Sequence, residues 1–232
     1  SETFKNDEVN LQNILDSDSE YRFQRLNQLL ESSFPINPTE SVEILRNQKG
    51  LDDAELGMGN PKAINQLLAH HGIVFQPEKR LLWVSASPFQ LGEFVCYNLN
   101  EVFRKKEKGK TEGDSVYNSQ FFGQLFIDSL RIPADPFLNS EGHQKFLRYK
   151  ELKNRLFDNI ALGKSIEWNE ELEREFIASN PESYITYFML GDYYLELGEL
   201  DEAKAYYQLS LSKEVASEQE RNKINNNLTE CH

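Results

Sequence analysis

With 232 residues and 25 Lys plus Arg against 38 Asp plus Glu, the chain has a net charge of −13, so it has no general attraction for phosphate backbones or anionic lipid. Nucleic acid and membrane surfaces are not expected as partners, and the charge reads as solubility. Two cysteines, Cys96 and Cys231, make neither a disulfide framework nor paired zinc spacing, and no apolar run approaches the ~20 residues that span a bilayer.

The chain starts Ser1-Glu2-Thr3, which suggests a removed leader or upstream domain. After a polar stretch, Asp16-Ser17-Asp18-Ser19 offers N-caps for a helix from about Ser19 to Ser32, with Phe23, Leu26, Leu29 and Leu30 on its apolar face. Pro35 breaks it. Asn37-Pro38 then opens a second helix, expected from Glu40 to Gln48, that buries Val42, Ile44 and Leu45. Gly50 to Met58 reads as a loop.

Gly57 to Asn98 is the densest apolar stretch. Gly59-Asn60-Pro61 signals a turn, and Ile64, Leu67 and Leu68 have helical spacing, which predicts a helix from Lys62 to Ala69. The runs His71–Phe75 and Arg80–Ala86, joined by a short turn, predict an antiparallel hairpin. Glu93–Tyr97 predicts a third strand, and helices packed on this sheet would make an α+β unit. Arg104 to Asp114 reads as an exposed loop or linker, and Ser119 to Ile132 as a docked helix ended by Pro133.

From Ser140 onward the pattern is helical. The expected helices run Glu141–Leu162, Asn169–Ser179, Glu182–Leu197, Leu200–Leu211 and Ser217–Thr229. Short loops between them imply antiparallel neighbours. Within this array Tyr187, Leu190, Gly191, Tyr194, Gly198, Ala203 and Tyr207 have the spacing of a tetratricopeptide repeat, in which Gly191 and Ala203 let two helices cross closely. One repeat is fewer than the roughly three that make a stable solenoid, so a helical appendage is the plainer reading. The expected division is an α+β part over residues 1–103, a linker and docked helix over 104–140, and a helical part over 141–232.

No phosphate-binding glycine loop, nucleophile-elbow serine, HExxH helix or CxxC pair occurs. These absences remove kinase, dinucleotide-binding, α/β-hydrolase and zinc-protease readings, and no cofactor is implied. His70 and His71 are adjacent, so on a strand they face opposite sides and cannot share a metal; one is expected to cap the sheet and the other to pack in it. Trp83, Phe89 and Phe94 read as core and pocket lining, and Asp52-Asp53 as a solvated loop. Ser1 would serve as a nucleophile only if it opened a buried strand, whereas it opens a charged segment.

Three segments carry a family likeness: Tyr21-Arg22-Phe23-Gln24-Arg25-Leu26; Val42-Glu43-Ile44-Leu45-Arg46; and Gly59-Asn60 through Leu82-Trp83-Val84-Ser85 to Leu91-Gly92-Glu93-Phe94-Val95. In these the chain resembles, over about residues 19–100, the C-terminal half of the acyl-CoA:6-aminopenicillanic-acid acyltransferase-like branch of the N-terminal-nucleophile hydrolases. The resemblance implies a four-layer αββα sandwich and amide hydrolysis or acyl transfer on linear amide C–N bonds. It also implies a nucleophilic cysteine exposed by self-cleavage, whose own α-amine is the base. No cysteine opens this chain and Cys96 is internal. The expected partner is therefore a missing nucleophile-bearing segment of the same precursor, with an acyl-CoA or amide as substrate, and the chain alone is not expected to catalyse.

The resemblance implies Arg22 as a fork of donors for a substrate carboxylate, with Arg25 and Asn60 as further candidates. Their plainer alternatives are helix-face charges and a turn residue. A second function, of another class, is a protein-interaction module using the helical repeat. The two readings place the exposed apolar patch differently: on the sheet for an enzyme portion, in the helical groove for a module.

Overall fold

A computed structural model describes residues 7–103, 125–162 and 168–231 of the chain. Among them the fold is α+β, with helices predominating over one three-stranded antiparallel sheet. The chain forms two compact units, each discontinuous in sequence: Ser1–Gln28, Gln48–Gln66 and Asn139–His232 make the first, and Leu29–Asn47 and Leu67–Leu138 the second. Helix α1 spans Glu8–Asp16, and α2 spans Ser19–Ser33, crossing from the first unit's residues into the second's.

In the second unit, α3 (Pro38–Leu45) starts on a complete capping box: the Asn37 side chain takes the Thr39 and Glu40 N–H groups, and Glu40 returns a bond to the Asn37 N–H. That satisfies donors a helix start otherwise leaves open. The sheet runs β1 (Ile73–Gln76), β2 (Leu81–Ser85), β3 (Phe94–Asn98), in that order. Ile73 lies opposite Val84 and Phe75 opposite Leu82; on the other side of β2, Val84 lies opposite Val95 and Leu82 opposite Tyr97. A short helix, α4 (Leu99–Val102), follows. Side chains alternate across a strand, and the sheet uses this to bury one face only. Leu81, Trp83, Phe94 and Cys96 join Val42 of α3 and Ile132 in a buried cluster.

Two expected helices are corrected. Residues 62–69 form turns and bends. Leu67 sits at φ 53°, in the left-handed region that stops a helix, and Ala63, Asn65 and Leu67 alternate with less buried neighbours in an extended manner. The early part of the expected helix 119–132 lies outside the described residues. Its end is an irregular strand-like strip: Phe126 bridges to Tyr97 and Ile132 to Phe94 around a 3-10 turn at Asp128–Leu130. The cause is the outer edge of β3, whose Phe94 N–H and C=O are both satisfied by Ile132 and whose Cys96 C=O accepts from the Ile127 N–H. The linker 104–114 also lies outside the described residues.

The helices of the first unit follow their expected positions closely: α5 (Glu141–Leu162), α6 (Glu170–Ser179), α7 (Tyr184–Leu197), α8 (Leu200–Leu211) and α9 (Glu218–Glu230). Helix α5 packs on α6 and α7, α7 on α8, and α8 on α9. The centre of this array is α7, buried from Thr186 to Gly191. A Cβ on Gly191 would lie 2.5 Å from the Tyr207 ring, so glycine permits the close crossing that the spacing predicts. Gly198, at φ 77°, closes α7 in the left-handed cap that glycine adopts without strain.

Candidate functional site

The three residues singled out by resemblance lie in the first unit and converge on the loop Gln48–Gln66. Successive turns of α2 present Tyr21, Arg22, Arg25 and Gln28 to this loop. The Tyr21 hydroxyl accepts the Leu51 N–H at 3.0 Å. Arg25, 3% exposed, donates to Asp53 Oδ1 at 2.5 Å and to Gln28 Oε1 at 3.3 Å. Gln28 in turn donates to Asp52 Oδ1 at 3.0 Å and accepts the Asp52 N–H at 3.2 Å. Asp52 and Asp53 are exposed, as the sequence suggests, but their side chains serve α2. Both stand at positive φ, 53° and 60°, a conformation aspartate tolerates better than most residues.

Arg22 donates through Nη1 to Asp18 Oδ2 at 2.5 Å and to the Pro61 carbonyl at 2.8 Å. Its side chain keeps 30% of its surface exposed. Both bonds use one nitrogen, so Nε and Nη2 have no partner among the described residues. Of the candidates, Arg22 alone combines exposure with spare donors, the combination that a carboxylate needs.

Asn60 is wholly buried. Its amide nitrogen donates to the Leu56 carbonyl at 3.1 Å and the Glu214 carbonyl at 2.9 Å, and its oxygen accepts the Lys62 N–H at 2.9 Å. Lys62 reaches the Glu214 carboxylate at 2.5 Å and lies over the Tyr21 ring at 4.6 Å. Further along, Asn180 closes a two-bond pair with the Met58 backbone, 2.9 Å each way. Gly57, at φ 77°, leaves no room for a Cβ, which would sit 2.4 Å from the Ser183 nitrogen. The loop is thus fastened by α2 on one side and by the helical array on the other. Sequence inspection could not find Asn180 and Glu214 as its anchors, because 122 and 154 residues separate them from Met58 and Asn60.

The second unit holds the other candidates. Cys96 is buried on the covered face of the sheet, and burial raises its thiol pKa, so it is poorly disposed as a nucleophile. Trp83 and Phe94 are core, and Trp83 donates to the Leu130 carbonyl at 2.8 Å. A cleft of about 380 Å³ opens beside Trp83, with Asn37, Thr39, Arg131 and Ile132 among its walls. Phe89 and Gln90 both take positive φ in the β2–β3 loop. Arg46 ties that loop down by donating to the carbonyls of Gln90, Leu91, Gly92 and Pro133. His70 and His71 precede β1 and are both exposed, so neither packs in the sheet as expected; His71 Nδ1 lies 3.5 Å from the Ser85 carbonyl at the end of β2. Among the described residues no group of His, Cys, Asp and Glu could hold a metal ion, and no helix is long and apolar enough to cross a membrane. Ser1 lies outside the described residues.

Among the described residues, the face of the sheet away from the buried cluster carries only apolar and aromatic side chains. Ile73, Phe75, Leu82, Val84, Val95 and Tyr97 share it by register, and none of them is buried. Ile73 and Phe75 are 60% and 52% exposed. Phe126 extends the strip, its ring 4.9 Å from that of Tyr97.

Comparison with known proteins found no matching family model, no matching curated protein and no matching solved structure.

Proposed function

We propose that this chain is the C-terminal portion of an amide hydrolase or acyltransferase of the N-terminal-nucleophile type, acting on linear amide C–N bonds. The nucleophile lies on a missing segment of the same precursor. The observation that carries this reading is the open apolar face of Ile73, Phe75, Leu82, Val84, Val95 and Tyr97. Among the described residues the sheet buries one face with α3 and keeps the other apolar and incompletely buried, the arrangement expected of one layer of a sheet-on-sheet sandwich, whose layers pack about 10 Å apart. Contiguous apolar surface of this kind marks an interaction site.

In the proposed assembly a cysteine thiol attacks the amide carbonyl while its own α-amine takes the thiol proton; the C–N bond then breaks as that proton passes to the leaving amine, and water or an acceptor amine releases the acyl group from sulfur. Arg22 holds the carboxylate of an acyl-amide substrate through its spare donors. Arg25 and Asn60 are positioning residues: they hold the Gln48–Gln66 loop, whose Pro61 carbonyl fixes the Arg22 guanidinium.

The test is to isolate the protein from its native cell and determine the mass and first residue of every chain that purifies with it, then assay amide hydrolysis. A partner opening with Cys and activity confined to the assembly support the proposal. A chain that purifies alone, with no heavier precursor, sinks it. A non-catalytic interaction module is the second reading, favoured by the close α7–α8 crossing at Gly191 and Tyr207. It gains if the chain captures a protein through that hairpin and lacks a nucleophile-bearing partner.

A further inference from the structure

Helix α5 turns one stripe toward α6 and α7, made of residues three and four apart. Phe146, Tyr149 and Leu156 lie on it at 3%, 3% and 0% exposure. Lys153 stands in the same stripe, between Tyr149 and Leu156, and is partly buried there. The other cations of α5 are engaged. Lys145 meets Glu141 at 2.8 Å, and Arg148 meets Glu151 at 2.7 Å and Glu175 at 2.6 Å. Lys150 lies over the Phe146 ring at 5.8 Å, and Arg155 acts on the charge of Glu175. Lys153 has no carboxylate, hydrogen-bond or ring partner among the described residues. The charge that acts on it is Lys150, one turn earlier, which repels it.

Partial removal from water and a neighbouring cation both disfavour an ammonium, and both make a lysine amine more nucleophilic. Burial first and Lys150 second hold the Lys153 pKa below the usual lysine range. We propose that the Lys153 amine is a covalent modification site, acylated by an acyl thioester. The neutral Nζ attacks the thioester carbonyl. The C–S bond then breaks, the sulfur leaves as a thiolate, and the proton shed by nitrogen goes to that sulfur. The products are an amide on Lys153 and a free thiol, and no further reactant is required. The amide also suits the stripe. It ends the cost of an unpaired charge among apolar neighbours, and its acyl carbons can lie against them. This inference is independent of the proposed function, since it needs neither a missing segment nor Arg22.

The experiment incubates the full chain with acetyl-CoA at neutral pH and follows acetylation of each lysine by peptide mass spectrometry. Lys145, exposed on the same helix, is the internal reference. Free amine rises about tenfold for each unit by which a lysine pKa falls, so Lys153 is expected to react at least about threefold faster than Lys145. Lys150→Gln alters an exposed residue and removes the repelling charge, so it should shrink this lead. Unfolding in urea should abolish it. Lys153 labelled no faster than Lys145 overturns the inference, and so does a lead that neither urea nor Lys150→Gln reduces.

Discussion

Asn60 shows how much one side chain can hold when its partners are far apart in sequence. Its amide satisfies two buried carbonyls and caps a third backbone group. Asn60→Ala leaves these groups unpaired in the interior, at about 1–3 kcal/mol for each group that water cannot reach, so thermal melting should fall markedly. Arg22→Lys should instead leave melting almost unchanged, because an exposed pair contributes about 0–1 kcal/mol. If the proposed function holds, it should raise KM of the proposed assembly for carboxylate-bearing substrates, since an ammonium cannot offer the planar fork. A KM equal to that of the unaltered assembly would remove Arg22 from the substrate site.

Asp192, on α7, sets a pH dependence. Its carboxylate accepts from the Tyr207 hydroxyl at 2.7 Å and the Asn227 amide at 2.9 Å, joining α7 to α8 and α9. Burial nonetheless raises its pKa above the ordinary 3.8, against the lowering effect of those two bonds and of Lys223. A raised acid binds its proton more tightly in the folded chain, so the contribution to stability is present below the unfolded pKa and is lost as pH rises through the folded one. Asp192→Asn retains an accepting oxygen without the charge. It should melt higher than the unaltered protein at neutral pH, with the difference vanishing below the ordinary carboxylate pKa; paired melting curves across pH measure this.

Among the elements, the α7–α8 hairpin and the β2–β3 loop rest on opposite devices. The hairpin depends on the absence of a side chain: Gly191→Val drives methyl groups into the Tyr207 ring, and overpacking of this kind typically costs about 1–3 kcal/mol. The loop depends on a long one, since Arg46 donates to four carbonyls from Gln90 to Pro133. Arg46→Met should free the backbone at Phe89 and Gln90 from its left-handed conformation, read as faster amide exchange from Ala86 to Gly92. If exchange there is unchanged, the strain is held by other contacts.

For the whole molecule, the two faces of the sheet should respond differently. Trp83→Ala removes a core side chain, and losses of this type cost about 3–5 kcal/mol. Val84→Lys, one residue away on the opposite, partly exposed face, should cost the isolated chain little and yet prevent its association with the proposed nucleophile-bearing partner. Denaturant melts and co-purification separate these outcomes, and equal destabilisation by both would mean that the open face is covered.

The sequence by itself determined whatever depends on local period and punctuation. The helices from Glu141 to Glu230 are legible because their apolar spacing, caps and short loops are all local, and so are the alternating strands and the burial of Cys96. Tertiary structure decided the rest. Helical spacing at Ile64, Leu67 and Leu68 lost to the side chains of Arg22 and Gln66, which take the Pro61 carbonyl, and to the left-handed backbone at Leu67, and Phe126 to Ile132 lost its helix to the outer edge of β3. Arg22, Arg25 and Asn60 were visible as candidates, but not that one loop gathers all three, because that loop is held by Asn180 and Glu214, more than a hundred residues away in the chain.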